Sequence, residues 1–417
     1  MFYSEIFPIF VTTKSKNYKT MKFSKLILLA LLVSVCSVSA QKRSIIHHNG
    51  GIVGDKGVRN EIYIPKVMGY NVYKADLHTH TIYSDGDITP ALRVCEAWSD
   101  GLDIIAITDH MEYRRTEREL FQYMKDYIDP AYRGQGAVNT NVLNRDPDSN
   151  GILVDFNVGS TAAEKEAKRL GIMAIKGVEI TRGKLGDYNA LFTTDNNALY
   201  NPNLEQTIRN ARAQGAFIIH NHPQYSKQTA STLPPHCEDF HAKNLIDGIE
   251  ISNGFTIYDR LIDYCLKGKY TPFATSDAHF LISARFPNAG KEYYRNMTLI
   301  LAKDCTEKAI KEALRAGRTI AYSANMLIGS EKLLTELFEA CVEVEKVGTD
   351  WKKLGVLVRN KSSLPFAVSK DGKKEYIVPA HGTAMVYVGR NDKVLNLTVT
   401  NMLCGADKSP KLSFKLK

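Results

Sequence analysis

In the stretch KADLHTHTIYSDG, residues 74–86, His78 and His80 lie two positions apart and Asp85 five further on. Alternate residues of a strand share a face, so two imidazoles at a strand end can reach one ion. Similar residues recur along the chain: Asp109 and His110 in ITDH, Glu179 in GVEI, His220 and His222 in IIHNHP, Glu250 in GIEIS, and Asp277 and His279 in SDAH. Each group closes an apolar run. Nitrogen and carboxylate donors without thiolates suit Zn, Mn or Fe, not an iron–sulfur cluster. The donors exceed what one ion can take, so two or three divalent ions bridged by carboxylate and hydroxide are expected. Any one group has an ordinary reading: a histidine before proline is commonly structural, TDH can cap a helix, and a glutamate after an apolar run can be a paired surface charge. Their recurrence at six strand ends favours a shared site. His47, His48, His236, His241 and His381 lack that context. His220 sits earlier in its strand than His222 and could point into the site or away.

The elements that must position these donors alternate between strand-like and helix-like runs. Tyr73 to Leu77 leads into the first motif; Thr89 caps a helix with Pro90 at its first position, and Gly101 ends it. Helices over Ala162–Leu170, Leu204–Gln214, Asp259–Leu266 and Thr306–Ala316 separate the runs DIIAIT, IMAIKGVEI, AFIIHNHP, DGIEISN, PFATSDAH, MTLILA and RTIAYS. About seven parallel strand–helix units form an open sheet or a closed barrel. Ligands drawn from several strand ends favour the barrel, whose top face collects them. Two insertions interrupt the pattern, residues 111–161 and 182–203, the second reading as a hairpin or excursion. Both follow candidate ligands and read as substrate-facing walls. From Leu333 short alternating strands with Gly, Asn and Pro turns predict a small antiparallel β-sandwich. The expected organisation is an upstream segment and signal peptide (1–40), a leader (41–72), a distorted (β/α)7 TIM-like barrel (73–330) and a sandwich domain (335–417).

The 417 residues carry a formal net charge of +9. Much of that excess lies in the N-terminal segment and the lysine-rich C-terminal end, and no clustered basic-aromatic surface stands out. No nucleic-acid partner is therefore expected. From Met21, Lys22 and Lys25 precede an apolar run from Leu26 to Val35 and a small-residue site at Val38-Ser39-Ala40. This reads as a secretory signal cleaved after Ala40, giving a periplasmic or secreted protein without stable membrane insertion. Val35 before Cys36 is bulkier than a lipoprotein site takes. The six later cysteines, Cys95, Cys237, Cys265, Cys305, Cys341 and Cys404, are widely spaced and do not demand disulfides. Nothing in the sequence fixes the oligomeric state.

In this order, DLHTHTIYSDG, AITDH, GVEI, NHP and SDAH resemble the PHP (polymerase and histidinol phosphatase) family over about residues 73–325. The C-terminal sandwich is similar to the accessory domain of exported PHP phosphodiesterases. The resemblance implies a distorted (β/α)7 barrel with a di- or trinuclear metal centre that hydrolyses phosphoesters. It implies His78, His80, Asp85, His110, Glu179, His222, Asp277 and His279 as ligands, with Glu250 or Asn253 at a more variable position. Asp109 would orient a ligand histidine. Related phosphoesterases often carry histidine in a GHFNALF-like segment where this chain reads GDYNALF with Asp187. That puts Asp187 forward as a substrate or metal contact.

The expected chemistry is attack by a metal-bridging hydroxide on a phosphorylated small-molecule or polymer-derived substrate, a diester favoured over a monoester. His222 or His279 would lie near the leaving group. One of Arg114, Arg115, Arg182 and Lys184 would contact the phosphate. Two alternatives stay open. An amidohydrolase-like enzyme would attack a C–N or lactone bond, and Lys176 is a poor candidate for its carbamylated bridge. A non-catalytic binding protein would hold closed structural metals. A polymerase proofreading role is disfavoured by the export signal.

Overall fold

The computed structural model describes residues 59–114, 116, 138–139, 153–182, 185–223, 235–349 and 353–416. The expected signal sequence, most of the first insertion, Arg115 and Lys184 lie outside the described residues.

Among the described residues the main sheet has twelve strands, ten of them numbered here: β1 Asn71–Asp76, β2 Ile104–Ile107, β3 Met173–Thr181, β4 Asp187–Leu191, β5 Phe217–His220, β6 Gly248–Asn253, β7 Thr271–Thr275, β8 Met297–Ala302, β9 Thr319–Ser323 and β10 Met326–Ile328, with the short Thr256–Ile257 paired to β6. They run in the order β7-β6-β5-β4-β3-β2-β1-β8-β9-β10, with Met402–Leu403 added beyond β10. The sheet curls until β7, at one end, comes back against β1 and β8. Beyond β1 and β7 the chain pairs across the gap, with Asp277 N donating to His78 O and His80 N to Ala278 O, each at 3.0 Å. Thr298 Oγ1 on β8 donates to Ala274 O on β7 at 3.0 Å. The closing seam therefore lies directly under four candidate ligands.

The parallel pattern expected from the sequence holds for β1-β2-β3 and for β5-β6-β7. It fails elsewhere. β4 pairs antiparallel with both β3 and β5, so the second insertion contributes a hairpin strand to the barrel wall. β8 is antiparallel to β1 and β9. A helix between two strands does not force a crossover. Gly317, at φ 65, reverses the chain so that Arg318 returns against Leu301.

Helices pack outside the sheet: α1 Pro90–Ser99, α2 Val158–Leu170, α3 Leu204–Ala213, α4 Pro235–Ala242, α5 Asp259–Lys267, α6 Ile282–Arg285, α7 Glu307–Arg315 and α8 Glu331–Cys341. Their ends follow local chemistry. Thr89, Asn203, Thr306 and Ser330 side chains accept backbone N–H groups of the first turns they cap. α2 stops at Gly171, whose φ of 73 suits a left-handed cap.

After α8, a three-stranded sheet (Val342–Thr349, Lys353–Asn360, Thr383–Gly389) faces a four-stranded one (Glu375–Val378, Phe366–Ser369, Val394–Val399, Lys411–Lys415). Strict alternation buries Val386 and Val388 from one and Leu395, Leu397 and Val399 from the other. These join Leu334 and Phe338 of α8 and Leu299 and Tyr322 of the barrel in one continuous core. The sandwich is thus packed onto the barrel's outer side through α8.

Candidate metal centre

The strand ends β1, β2, β3, β5 and β7 bring their polar residues to one place. Three ligand sets form, each with donor atoms within 4.8 Å of one another: His80, Asp85, His110 and His279; His78, His80 and Asp277; and His78, Glu179 and His222. Shared members fuse the sets. His78 Nε2 and His80 Nε2 are 3.0 Å apart, and each lies 3.2 Å from Glu179 Oε2. His110 Nδ1 is 3.0 Å from the same oxygen. Asp277 Oδ1 lies 3.2 Å from His80 Nε2, and Asp85 Oδ2 lies 3.3 Å from His279 Nε2. The backbone is bent to achieve this, since His222 (φ 24) and Asp277 (φ 49) adopt positive φ that non-glycine residues avoid.

Surrounding residues fix which nitrogen each ring offers. Glu250 accepts from His78 Nδ1 at 2.8 Å and from Thr275 Oγ1 at 2.7 Å with one oxygen. With the other it accepts from His222 N at 2.8 Å and Asn253 Nδ2 at 3.0 Å. Its lone pairs are used by the protein, and neither Glu250 nor Asn253 joins a ligand set. In the neutral ring that a metal would require, Glu250 instead leaves Nε2 of His78 as the acceptor facing the cluster. Thr181 Oγ1 lies 2.6 Å from His110 Nδ1, and Asn221 Nδ2 donates to Glu179 Oε1 at 2.7 Å.

Asp109 differs from its expected role. It accepts from Thr81 N and Thr81 Oγ1 at 2.7 Å and from Ser84 Oγ at 2.8 Å. It reaches a ligand ring only through Ser84, which sits 3.4 Å from His80 Nδ1. Its main task is to hold the loop after His80, and a Cβ on Gly159 would lie 2.5 Å from Asp109 Oδ2. Arg182 is also turned away from the cluster. Its Nη2 donates to Asn201 O at 2.8 Å and pairs with Glu112 at 3.0 Å, while the guanidinium covers Tyr200. Arg114 donates to His110 O at 2.7 Å and lies over Phe156, bracing the ligand's backbone. Asp187 opens β4 and does face the site, 3.8 Å from His222 Nδ1. His220 points the other way, stacked on Tyr188 and 3.2 Å from His241 Nε2.

Sequence reasoning passed over the base of the site. Buried Arg93 donates to His80 O, Ala278 O and Phe280 O, tying the two ligand loops together, and pairs with Glu96. Buried Arg295 pairs with Asp76 and reaches Asp100, while Asp76 also accepts from Ser276. For Arg93 and Glu96 the local signal was charge on the buried face of α1; Arg295, in a loop, and Asp76, on β1, gave none.

Electrostatics favour cations. Burial alone would lower the pKa of His78, but Glu179, Glu250 and Asp277 overcome it and hold the imidazole well above its usual value. Burial likewise opposes ionisation of Glu179 and Asp277, yet the neighbouring histidines keep both carboxyls well below the usual range. Burial and Glu179 push the Asp187 carboxyl up to about 6. Among the described residues, Asp85 Oδ1, Glu179 Oε2 and Asp187 Oδ1 are buried without a hydrogen-bond partner. Buried carboxylate oxygens normally have one. Orphaned oxygens converging with imidazole nitrogens, all hard or borderline donors, fit divalent metal ions.

A barrel collecting such donors at its strand ends defines the class of metal-binding TIM-like hydrolase folds. A PHP domain matches residues 76–215. A two-domain Bacteroides vulgatus protein containing a predicted PHP-like metal-dependent phosphoesterase is 31% identical, with a TM-score of 0.73 over 86% of this chain and 99% of that one. A Bifidobacterium adolescentis protein with a proposed metal-dependent phosphoesterase activity is 14% identical, with a TM-score of 0.33 over 53% of this chain and 92% of that one. No curated protein matches. The chain belongs to the PHP family and has the fold of its metal-dependent phosphoesterases, with a mixed barrel and an appended β-sandwich.

Proposed function

We infer that this chain is an exported hydrolase cleaving a phosphate ester, a diester in preference to a monoester, with two or three divalent ions. The observation that carries this reading is the meeting of His78, His80, Asp85, His110, Glu179, His222, Asp277 and His279 in three ligand sets that share members. The similarity to the Bacteroides protein supports phosphoester chemistry. The amidohydrolase alternative loses support from Lys176, whose Nζ reaches toward Thr194 O, 3.5 Å away, rather than into the cluster. The diester preference rests on the long connection after β2 and on the accessory domain; the second insertion has become the β3–β4 hairpin of the wall. Export rests on the signal-like segment before residue 41. Among the described residues no helix is long and apolar enough to cross a membrane.

The residues of the three sets would hold the ions. When bound, they make a coordinated water acidic and offset the charge of the phosphoryl oxygens. The protein's own share is orientation and substrate contact. Glu250 and Thr181 keep His78 and His110 in fixed orientations. His279 has a side chain 27% exposed, against 0% for His78 and His80 and about 10% for His110 and His222. It is therefore the ligand-set histidine that stands most open to a bound substrate's leaving group. Asp187 extends the wall beside His222 as a contact for substrate hydroxyls.

The test is metal analysis of the purified protein with turnover of an aryl phosphate monoester and a bis-aryl diester. His80→Ala and Asp277→Ala should each abolish turnover of both and lose part of the bound metal. Wild-type turnover by the metal-stripped double variant would refute the reading.

A further inference from the structure

Arg285 ends α6, six residues beyond His279. Its guanidinium is half-buried, and its Nε is fully buried without a hydrogen-bond partner. Among the described residues no carboxylate or carbonyl pairs with the side chain. Arg182 Nε and Arg295 Nε are likewise without a partner, but those guanidiniums pair through Nη2 with Glu112 and Asp76, as Arg93 pairs with Glu96; what sets Arg285 apart is the missing acid. An unpaired, partly desolvated guanidinium is a standing offer to an anion.

Its location ties it to the metal centre. The guanidinium lies over Gly254, where an added Cβ would be 2.6 Å from Nη2. Gly254 (φ 55) makes the turn that ends β6, directly after Asn253, which donates to Glu250 behind His78. Gly254 N donates to Thr275 O at the end of β7. Arg285 thus stands at the ligand-bearing end of the barrel, over the β6 and β7 ends. Apolar surface surrounds it. Phe255 is 54% exposed, packed on Phe286 at 4.9 Å and near Tyr293 at 6.0 Å. Phe280 and Leu281, directly after His279, are also exposed. Water-facing aromatic side chains beside an unpaired cation suit a flat or apolar body that carries a negative group.

We propose that Arg285, with Phe255 beside it, forms a subsite for an anionic group of the substrate remote from the scissile phosphate. This deepens the phosphoesterase reading and rests on it. The group is a carboxylate or a second phosphate, both of which match the guanidinium fork.

The experiment compares three reporters on the metal-loaded protein: phenyl phosphate, carboxyphenyl phosphate and phenylene bisphosphate. The wild type should favour one of the anionic reporters over phenyl phosphate in kcat/KM, and which one identifies the group. Arg285→Gln should reduce that preference about 10-fold, as expected for losing one charge-assisted hydrogen bond, mostly through KM. Arg285→Lys should restore part of it. An unchanged preference in Arg285→Gln overturns the proposal, as does an equal loss on all three reporters. If the wild type hydrolyses none of these three monoesters, the phosphoesterase reading stands or falls on the bis-aryl diester, and calorimetric binding of phthalate and of pyrophosphate to chelator-treated protein decides the subsite. Weaker binding of either by Arg285→Gln supports it, and equal binding by both proteins overturns it.

Discussion

Replacing Glu250 by glutamine probes how the cluster is held. The side chain is fully buried and meets four donors, two on each oxygen. Glutamine turns one of those oxygens into an NH2, which must face a pair of donors. Turned toward His222 and Asn253, it leaves the His222 backbone N–H unsatisfied, because only the Asn253 amide can flip. That costs about 1–3 kcal/mol of stability. Turned toward His78 and Thr275, it lets the threonine hydroxyl rotate but makes His78 accept at Nδ1. The His78 proton then moves to Nε2, the atom 3.2 Å from Glu179 Oε2, and the ring can no longer ligate through it. Loss of such a buttress weakens metal binding by about 10- to 100-fold. Urea unfolding of the chelator-treated protein reads the first outcome, and titration against a fluorescent chelator reads the second. A Glu250→Gln protein with the wild-type urea midpoint and wild-type metal affinity would refute the assignment of Glu250 as the residue orienting His78.

Two further predictions address the scaffold. His241 is buried against His220, Tyr264 and Tyr270, and burial pulls its pKa down to about 4. At pH 7 the ring is neutral in both states; below about 6.5 the unfolded chain takes a proton that the folded protein refuses until about 4. Stability therefore falls across that window, by about 2 kcal/mol between pH 7 and 5 from this group. His241→Gln should remove that slope from urea midpoints measured against pH, and an identical slope in the variant would count against it. Arg295→Met should destabilise by about 3–5 kcal/mol, because it strands buried Asp76. A change below 1 kcal/mol in chemical unfolding, about the most an exposed ion pair contributes, would show that Asp76 has no need of its partner.

Much of this architecture is written locally. The cap at Thr89, the helix from Thr306 and the stop at Gly171 depend on a few adjacent residues and could be read directly, whereas α8 over Glu331–Cys341 replaces the strands expected from Leu333, its cap at Ser330 having gone unread. The candidate ligands were legible for a similar reason: an imidazole or carboxylate closing an apolar run stands out against its own neighbours. The direction of β4 and β8 was not legible, because pairing is settled between strands and a hairpin and a crossover can share one pattern of hydrophobicity.

The sequence by itself determined the kinds of donor, their strand-end spacing and the mixed α/β class, since residue type and periodicity are properties of short segments. Only the tertiary structure decided what each polar atom meets. Glu250 holds His78 across 172 positions, Asp109 secures the loop after His80, Arg182 is bound into the wall, His220 faces His241, and Arg285 is left over Gly254. A carboxylate's role follows from which lone pairs the fold has already used, and that is fixed by contacts between residues far apart in the chain.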